Sequence, residues 1–446
     1  MTLRAYKYAL NPTPRQARSL DGHCGAARKA FNWGLGQVKA VLDQRAAEAT
    51  YGISAELLTP AISWSMYSLR KAWNQAKATV APWWAEYSKE AYASGLTQLA
   101  AGLKNWHDSR KGKRRGRMPG FPRFKSKRTA VRSCRFTTGG SRCDGRYVVL
   151  PRIGRVRLHE TPATELLDGT ARIIAATIRF ERGRWFVSFT VEQHAPARTP
   201  KRPDAVIGVD LGLKNLAILA ASDRELRTVL NPKYLDRALR KLGTMSRRVS
   251  RRVGPDRRTG QIPSKRWKRA NAQRNRVHYR VAYQRADALH KFTTAIAAEA
   301  GTVVVEDLNV AGMLKNRHLA RRIGDAGFGE IRRQLRYKTE WNGGRLVVAD
   351  RWFPSSKTCS GCGVVKAKLL LSERDYACES CGLVMDRDEN AARNLAALAV
   401  AASGAETLNG RGADQKTRAT GQVAVKRQPG SPECETGTAL PGAVSV

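Results

Sequence analysis

Leu3–Leu10 alternates apolar and polar positions as a short strand, and Asn11-Pro-Thr-Pro14 then turns the chain into a helix with apolar residues at Ala27, Ala30, Phe31, Leu35 and Val38. Two or three further helices run to about Trp106. They carry Trp64, Trp73, Trp83, Trp84 and Trp106 at helical spacing, as core aromatics do more often than exposed stacking surfaces. Strand-like stretches follow at Tyr147–Leu150, Arg155–His159, Ile173–Phe180 and Trp185–Glu192, and short strands joined by turns suggest a small β-barrel. Ala195–Pro203 is basic and proline-rich and marks the clearest boundary. Beyond it, Val206–Asp210, Leu216–Ala221 and Leu226–Leu230 read as a meander, with Val303–Glu306 and Arg345–Ala349 as later strands. Between these groups, Tyr234–Arg252 and Lys265–Ala300 read as two basic helices around a Gly254–Pro263 loop. Residues 403–446 hold no aromatic residue and are rich in Gly, Ala, Thr and Pro, the composition of a disordered tail.

Charge changes this picture. The 446 residues carry 80 Lys+Arg against 37 Asp+Glu, a net +43 that calls for a polyanionic partner, because basic side chains release the counterions condensed on phosphates. The surplus is concentrated. Arg110–Arg128 holds ten basic residues and no acid, interleaved with Phe121 and Phe124; its candidate nucleic-acid contacts are Arg114, Arg115, Arg117, Lys125 and Lys127. Lys233–Arg285 carries 18 Lys/Arg against Asp236 and Asp256, with Arg247, Arg248, Arg251, Arg252, Arg266, Lys268 and Arg269 as candidates to line a channel for duplex backbone. Met1–Tyr8 lacks the apolar run of a signal peptide, and no stretch approaches the roughly 18 apolar residues of a membrane span. A cytoplasmic protein with no membrane partner is expected.

Of eight cysteines, Cys24, Cys134, Cys143 and Cys434 are scattered and read as structural or incidental thiols. The other four form Cys359-Ser-Gly-Cys362 and Cys378-Glu-Ser-Cys381, with fifteen residues between the pairs. That spacing fits a four-thiolate Zn²⁺ site built from two knuckles, closed and therefore structural. Asp386-Arg-Asp388-Glu-Asn390-Ala-Ala-Arg-Asn394 opens an alanine-rich helix at once afterwards.

Asp210 ends the first strand of the meander, Glu306-Asp307 ends the all-β-branched strand near Val303, and Asp388 opens the last helix. Singly, each is an ordinary turn former or cap. Together they suit convergence on Mg²⁺, which prefers oxygen ligands and supplies the positive charge that phosphodiester hydrolysis needs. An RNase H-like α/β sheet provides such a platform.

Gly208-Val-Asp210-Leu-Gly-Leu-Lys-Asn-Leu-Ala, Val-Val-Val-Glu306-Asp-Leu-Asn-Val, the paired cysteines and Asp-Arg-Asp388-Glu-Asn-Ala-Ala-Arg-Asn together resemble the TnpB family, insertion-sequence-encoded RNA-guided nucleases related to type V CRISPR effectors. Weaker likeness reaches the N-terminus through Tyr6–Thr13, Phe31-Asn-Trp33 and Gly120–Lys127. The resemblance implies a wedge β-barrel over 1–200 with an inserted helical recognition domain at about 15–108. It implies a split RuvC nuclease domain over 204–402 with a zinc-ribbon insertion at 353–386. Its three metal-binding acids would be Asp210, Glu306 and Asp388, with Asp386 as rival for the third, and Arg374 is similar to an arginine that some relatives use near the scissile phosphate. A guide RNA, a double-stranded DNA target and a short target-adjacent motif are implied as partners. The rival readings are an early type V CRISPR effector using a CRISPR RNA, a guide-independent nuclease or transposase, and a non-catalytic zinc-ribbon binder.

Overall fold

Thr13 starts the first long helix by reciprocal capping: its hydroxyl accepts from Gln16 N at 3.3 Å while Gln16 Oε1 accepts from Thr13 N at 3.0 Å, and Pro14 occupies the first turn. The structure, a computed structural model, describes residues 2–403 apart from 115, 138–139, 194–198, 224, 257 and 371; the expected tail, Cys434 and part of the expected linker lie outside the described residues. In chain order the elements begin with β1 (Thr2–Asn11), α1 (Pro14–Thr50), α2 (Met66–Val80) and α3 (Lys89–Arg110). Next come β2 (Ser133–Phe136), β3 (Arg142–Asp144), β4 (Tyr147–Leu150), β5 (Gly154–Leu158), α4 (Thr164–Leu167), β6 (Ala171–Glu181) and β7 (Arg184–Gln193). The chain continues with β8 (Arg202–Leu211), β9 (Asn215–Ala221), β10 (Leu226–Leu230), α5 (Tyr234–Ser250), α6 (Lys265–Glu299) and β11 (Ala300–Glu306). It closes with α7 (Val310–Met313), α8 (Ala320–Ala326), α9 (Phe328–Trp341), β12 (Arg345–Ala349), β13 (Asp375–Ala377), β14 (Val384–Asp386) and α10 (Arg387–Ser403).

These elements group into two units that do not follow chain order. The first comprises Met1–Arg198 with Tyr234–Asp287, the second Thr199–Lys233 with the described residues from Ala288 on, so the expected 204–402 range is divided between them. The first unit is built on a seven-stranded antiparallel sheet, in the order β2-β6-β7-β1-β5-β4-β3, where a barrel was expected. Its core includes Leu20, Leu35, Leu96, Leu99, Phe136 and Phe189, and Trp73 is buried against Trp33 and Tyr92. Tyr279 and Tyr283 explain why α6 begins in this unit: Tyr283 stands 6.2 Å from the Phe186 ring and its hydroxyl donates to the Glu181 carbonyl at 3.3 Å. Cys24 and Cys134 are buried here, and burial pushes both thiols up, which leaves them neutral and inert.

The second unit holds a five-stranded sheet in the order β10-β9-β8-β11-β12. β8 is antiparallel to β9 and parallel to β11, and β11 is parallel to β12. Period-2 alternation separates the two faces. Ile207, Val209, Val303 and Val305 pack with Ile331 and Leu335 of α9 on one side. Val206, Val304 and Ala349 pack with Leu395, Ala396 and Ala399 of α10 on the other. Among the described residues, no helix is long and apolar enough to cross a membrane.

Candidate metal and nucleic-acid sites

The register of β8 against β11 pairs Val209 with Val305, so the next residues, Asp210 and Glu306, stand side by side where these parallel strands end. Both share a face with Gly208 and Val304, the face that α10 covers. Gly208 is what lets the helix lie so close: a Cβ there would sit 2.2 Å from the Ala392 carbonyl oxygen and 2.4 Å from the Ala396 nitrogen. On α10, Asp388, Ala392, Leu395 and Ala399 follow helical spacing along one stripe. Asp388 therefore leads that stripe at the helix end nearest Asp210.

Electrostatics report the same meeting. Burial, then the negative charges of Glu306 and Asp388, hold the Asp210 carboxyl well above the usual carboxylate range, with Arg387 opposing weakly. Asp386 does a different job. Its Oδ1 accepts from Asp388 N at 2.8 Å and Glu389 N at 3.3 Å, which caps α10. Asp307 is also occupied: Arg332 and Arg351 pair with its two oxygens and pull its pKa down. Glu306 instead accepts, among the described residues, from a neutral donor, the Ser355 hydroxyl.

Four thiols make a second centre. The ligand atoms of Cys359, Cys362, Cys378 and Cys381 all lie within 4.8 Å of one another, and Cys359–Cys381 and Cys362–Cys378 are each 3.6 Å apart. A tetrahedral ion with Zn–S bonds of about 2.3 Å needs S···S edges of roughly 3.8 Å. The cysteines fit that ion. The two knuckles repeat one backbone design: Cys359 N donates to Val364 O and Cys378 N to Leu383 O, both at 2.8 Å, with Gly363 (φ 79°) and Gly382 (φ 73°) in the left-handed conformation. Backbone hydrogen bonds from Cys381 and Ser380 to the Cys378 sulfur favour its thiolate, while the neighbouring sulfurs push the Cys381 thiol up, so the four share charge that an ion would take. Among the described residues, the carboxylates are not gathered as tightly as the thiols.

Between β12 and the first knuckle runs a loop, its larger part within the expected 353–386 ribbon, in which no residue was singled out from the sequence. Trp352 stands 85% exposed there, its nitrogen donating to Asp350 Oδ1 at 2.8 Å, while neighbouring Phe353 packs against the α10-side core. The segment is anchored to α10 by two buried amides: Asn390 Nδ2 donates to Thr358 O at 2.6 Å, and Asn394 Nδ2 to Ser355 O and Thr358 O, both at 2.7 Å. Asparagine is a poor helix former, so its repetition one turn apart in an alanine-rich helix was the available signal for a tertiary role. Arg374 is exposed, and its carbonyl accepts from Arg387 N at 2.8 Å.

The basic candidates fall in the first unit. Arg247, Arg248, Arg251, Arg252 and Arg266 line one cavity of about 720 Å³ with no acid in its lining, and Lys268 and Arg269 are exposed on the same helix as Arg266. Arg114 and Arg117 are exposed, whereas Arg115 lies outside the described residues. Lys127 joins Arg28, Lys29, Arg128 and Arg132 around a cavity of about 980 Å³ that Trp83 and Tyr87 also line. Lys125 differs from its neighbours: its ammonium sits 3.8 Å over the Phe31 ring and donates to Gln98 at 2.6 Å, and burial pulls its pKa down to about 8.

Comparison with known proteins covers most of the chain. Residues 188–317 match a family model described as a probable transposase (OrfB of IS605), 328–395 a Cas12f1-like TNB domain, and 1–46 the OrfB helix-turn-helix domain. A Mycobacterium tuberculosis protein named "Putative RNA-guided DNA endonuclease Rv2885c" is 41% identical over 441 residues, 93% of this chain and 91% of its own. A Streptomyces pristinaespiralis protein of the same description is 33% identical over 437 residues, 96% of each chain. A solved Cas12f1–sgRNA–target DNA complex is similar at 12% identity and a TM-score of 0.49, covering 89% of this chain and 98% of its own.

Proposed function

The chain belongs to the TnpB family of RNA-guided DNA endonucleases, and from that membership we propose that it cuts target DNA by Mg²⁺-dependent hydrolysis at Asp210, Glu306 and Asp388. The observation that carries this reading is the register that stands Asp210 beside Glu306 where β8 and β11 end, with Asp388 heading the α10 stripe packed on Gly208. Such a group of like charges is costly unless a cation serves it. Oxygen-only donors favour Mg²⁺. When bound, Mg²⁺ supplies positive charge to the phosphoryl and leaving oxygens and an activated water. The side chains hold and orient: Asp210 and Glu306 come from a rigid sheet edge, Asp388 from the first turn of a capped helix. The β10-β9-β8-β11-β12 order, with two antiparallel pairs (β10/β9 and β9/β8) and two parallel ones (β8/β11 and β11/β12), supports an RNase H-like, RuvC-type assignment.

Target choice would be delegated to base pairing with a guide RNA, while the arginine-lined surfaces hold backbone irrespective of sequence. The first unit's sheet with its inserted helices is assigned the wedge and recognition roles, including the target-adjacent motif. The four cysteines would hold one structural Zn²⁺ between the last strand and the catalytic helix. Arg374, tied by its backbone beside Asp388, is assigned to the scissile phosphate, and Trp352 to stacking on a base of the strand being cut. The place of action would be the prokaryotic cytoplasm, at the nucleoid when bound to DNA.

The test is purification with the bound RNA intact, sequencing of that RNA, and challenge of the complex with a randomised plasmid library. A defined RNA with one variable end, and cleavage that follows that end and stops in Asp210→Ala, is expected. Random cellular RNA with undirected cleavage would instead favour the guide-independent transposase reading that the family model's description carries.

A further inference from the structure

Resting on the assignment of Glu306 as a metal ligand, we propose that Ser355 is a positioning residue for that carboxylate and that Asn394 and Asn390 link it to the fold of the cysteine ribbon. Ser355 is only 5% exposed, and its hydroxyl donates to Glu306 Oε1. Its carbonyl is held in turn by Asn394 Nδ2 at 2.7 Å. The same amide nitrogen reaches Thr358 O, which Asn390 Nδ2 also holds, while Asn390 Oδ1 accepts from Ser360 N at 2.9 Å. Ser360 lies between Cys359 and Cys362. A continuous set of hydrogen bonds therefore runs from the first knuckle, through two buried amides one turn apart on α10, to a catalytic acid on β11.

This arrangement does more than hold a loop down. A glutamate at a strand end has three rotatable bonds, and a single hydroxyl on one oxygen selects an orientation without neutralising the charge. The adjacent acid shows the contrast: Asp307 is compensated by Arg332 and Arg351, so its charge is spent on structure. Glu306 has an oriented carboxylate and keeps its charge for a cation, the usual contribution of a partner behind a metal ligand. Asp388 rides on the helix that carries both asparagines. Its separation from Glu306 is thereby set through Ser355, and a ribbon that loses its metal would loosen the carboxylate as well as itself.

The experiment measures the Mg²⁺ concentration for half-maximal cleavage by the guide-loaded complex, with target binding and melting temperature followed separately. Ser355→Ala is expected to raise that concentration about tenfold or more with target affinity unchanged, and Ser355→Thr, which keeps the hydroxyl, to restore most of it. Asn394→Asp, which keeps the shape but removes both donors, should shift it in the same direction. It serves as the readout should Ser355→Ala fail to load guide. A lowered melting temperature with unaltered Mg²⁺ dependence in the variants would overturn the proposal. Glu306→Gln separates the two levels: if it still cleaves fully, the metal assignment fails, whereas an inactive Glu306→Gln beside a Ser355→Ala with wild-type Mg²⁺ dependence defeats the positioning role alone.

Discussion

Gly208 and Ala392 meet backbone to backbone: a Cβ on the strand residue would lie 2.2 Å from the helix carbonyl oxygen. Two residues beyond Gly208 is Asp210, and four before Ala392 is Asp388, so this contact sets the distance between two of the three acids. Gly208→Ala should lift α10 off the sheet. We expect about 1–3 kcal/mol of destabilisation from overpacking, seen as a lower melting temperature, and loss of cleavage with guide RNA still bound.

Two neighbouring acids should behave in opposite ways. Glu306→Gln is expected to lower the cleavage rate by about 100-fold or more, because it removes charge from the metal site. Asp307→Asn leaves that site intact and strands Arg332 and Arg351, so melting temperature should fall while cleavage persists. Single-turnover cleavage and thermal melting of the two variants side by side would decide it; a dead Asp307→Asn beside an active Glu306→Gln would reverse the assignment.

The ribbon should contain one zinc ion per chain by elemental analysis. Cys378→Ser, or a strong chelator followed by return of Mg²⁺ alone, is expected to release it and reduce cleavage, while guide RNA binding, assigned above to the first unit, survives. Metal-free protein with full cleavage would rule out a structural Zn²⁺ there.

His23 makes stability pH-dependent. It is fully buried, its Nδ1 hydrogen-bonds to Ser19 O at 2.8 Å and its Nε2 accepts from Ser88 N at 3.2 Å, and burial lowers its pKa below the ordinary 6.5. The unfolded chain thus takes the proton first. The contribution is fully present above about pH 6.5 and is lost as pH falls through the depressed folded pKa. Calorimetry should show a fall in melting temperature over that acidic range, flattened in His23→Gln, which cannot take up the proton.

Trp352 should matter through its flat face. Stacking of one base is worth about 1–3 kcal/mol, so Trp352→Ala should slow cleavage roughly 5- to 100-fold, with Trp352→Phe intermediate. A 2-aminopurine placed beside the scissile phosphate should report the lost stacking as brighter fluorescence.

Much of this was legible without coordinates. β8, β9, β10, β11 and β12 form where β-branched and aliphatic runs end in turn residues, and the thiol spacing alone forecast a common centre. Three things were not legible. Lys125 looked like one more phosphate contact, but only packing could reveal Phe31 beneath its ammonium. The grouping of Tyr234–Asp287 with the first unit depends on distant partners such as Phe186. The difference between Glu306 and Asp307 rests on which arginines and which hydroxyl arrive from α9 and from the loop after β12, residues far away in the chain.

Local periodicity, turn chemistry and ligand spacing determine elements, because they act between residues a few positions apart. The amino-acid order therefore specified the strands, the cysteine knuckles, the basic helices and the three acids worth watching. Which acid is paired by arginines and which receives a hydroxyl was decided only when α9 and the loop after β12 packed beside the end of β11, since a carboxylate's role is set by the groups within a few ångströms of it.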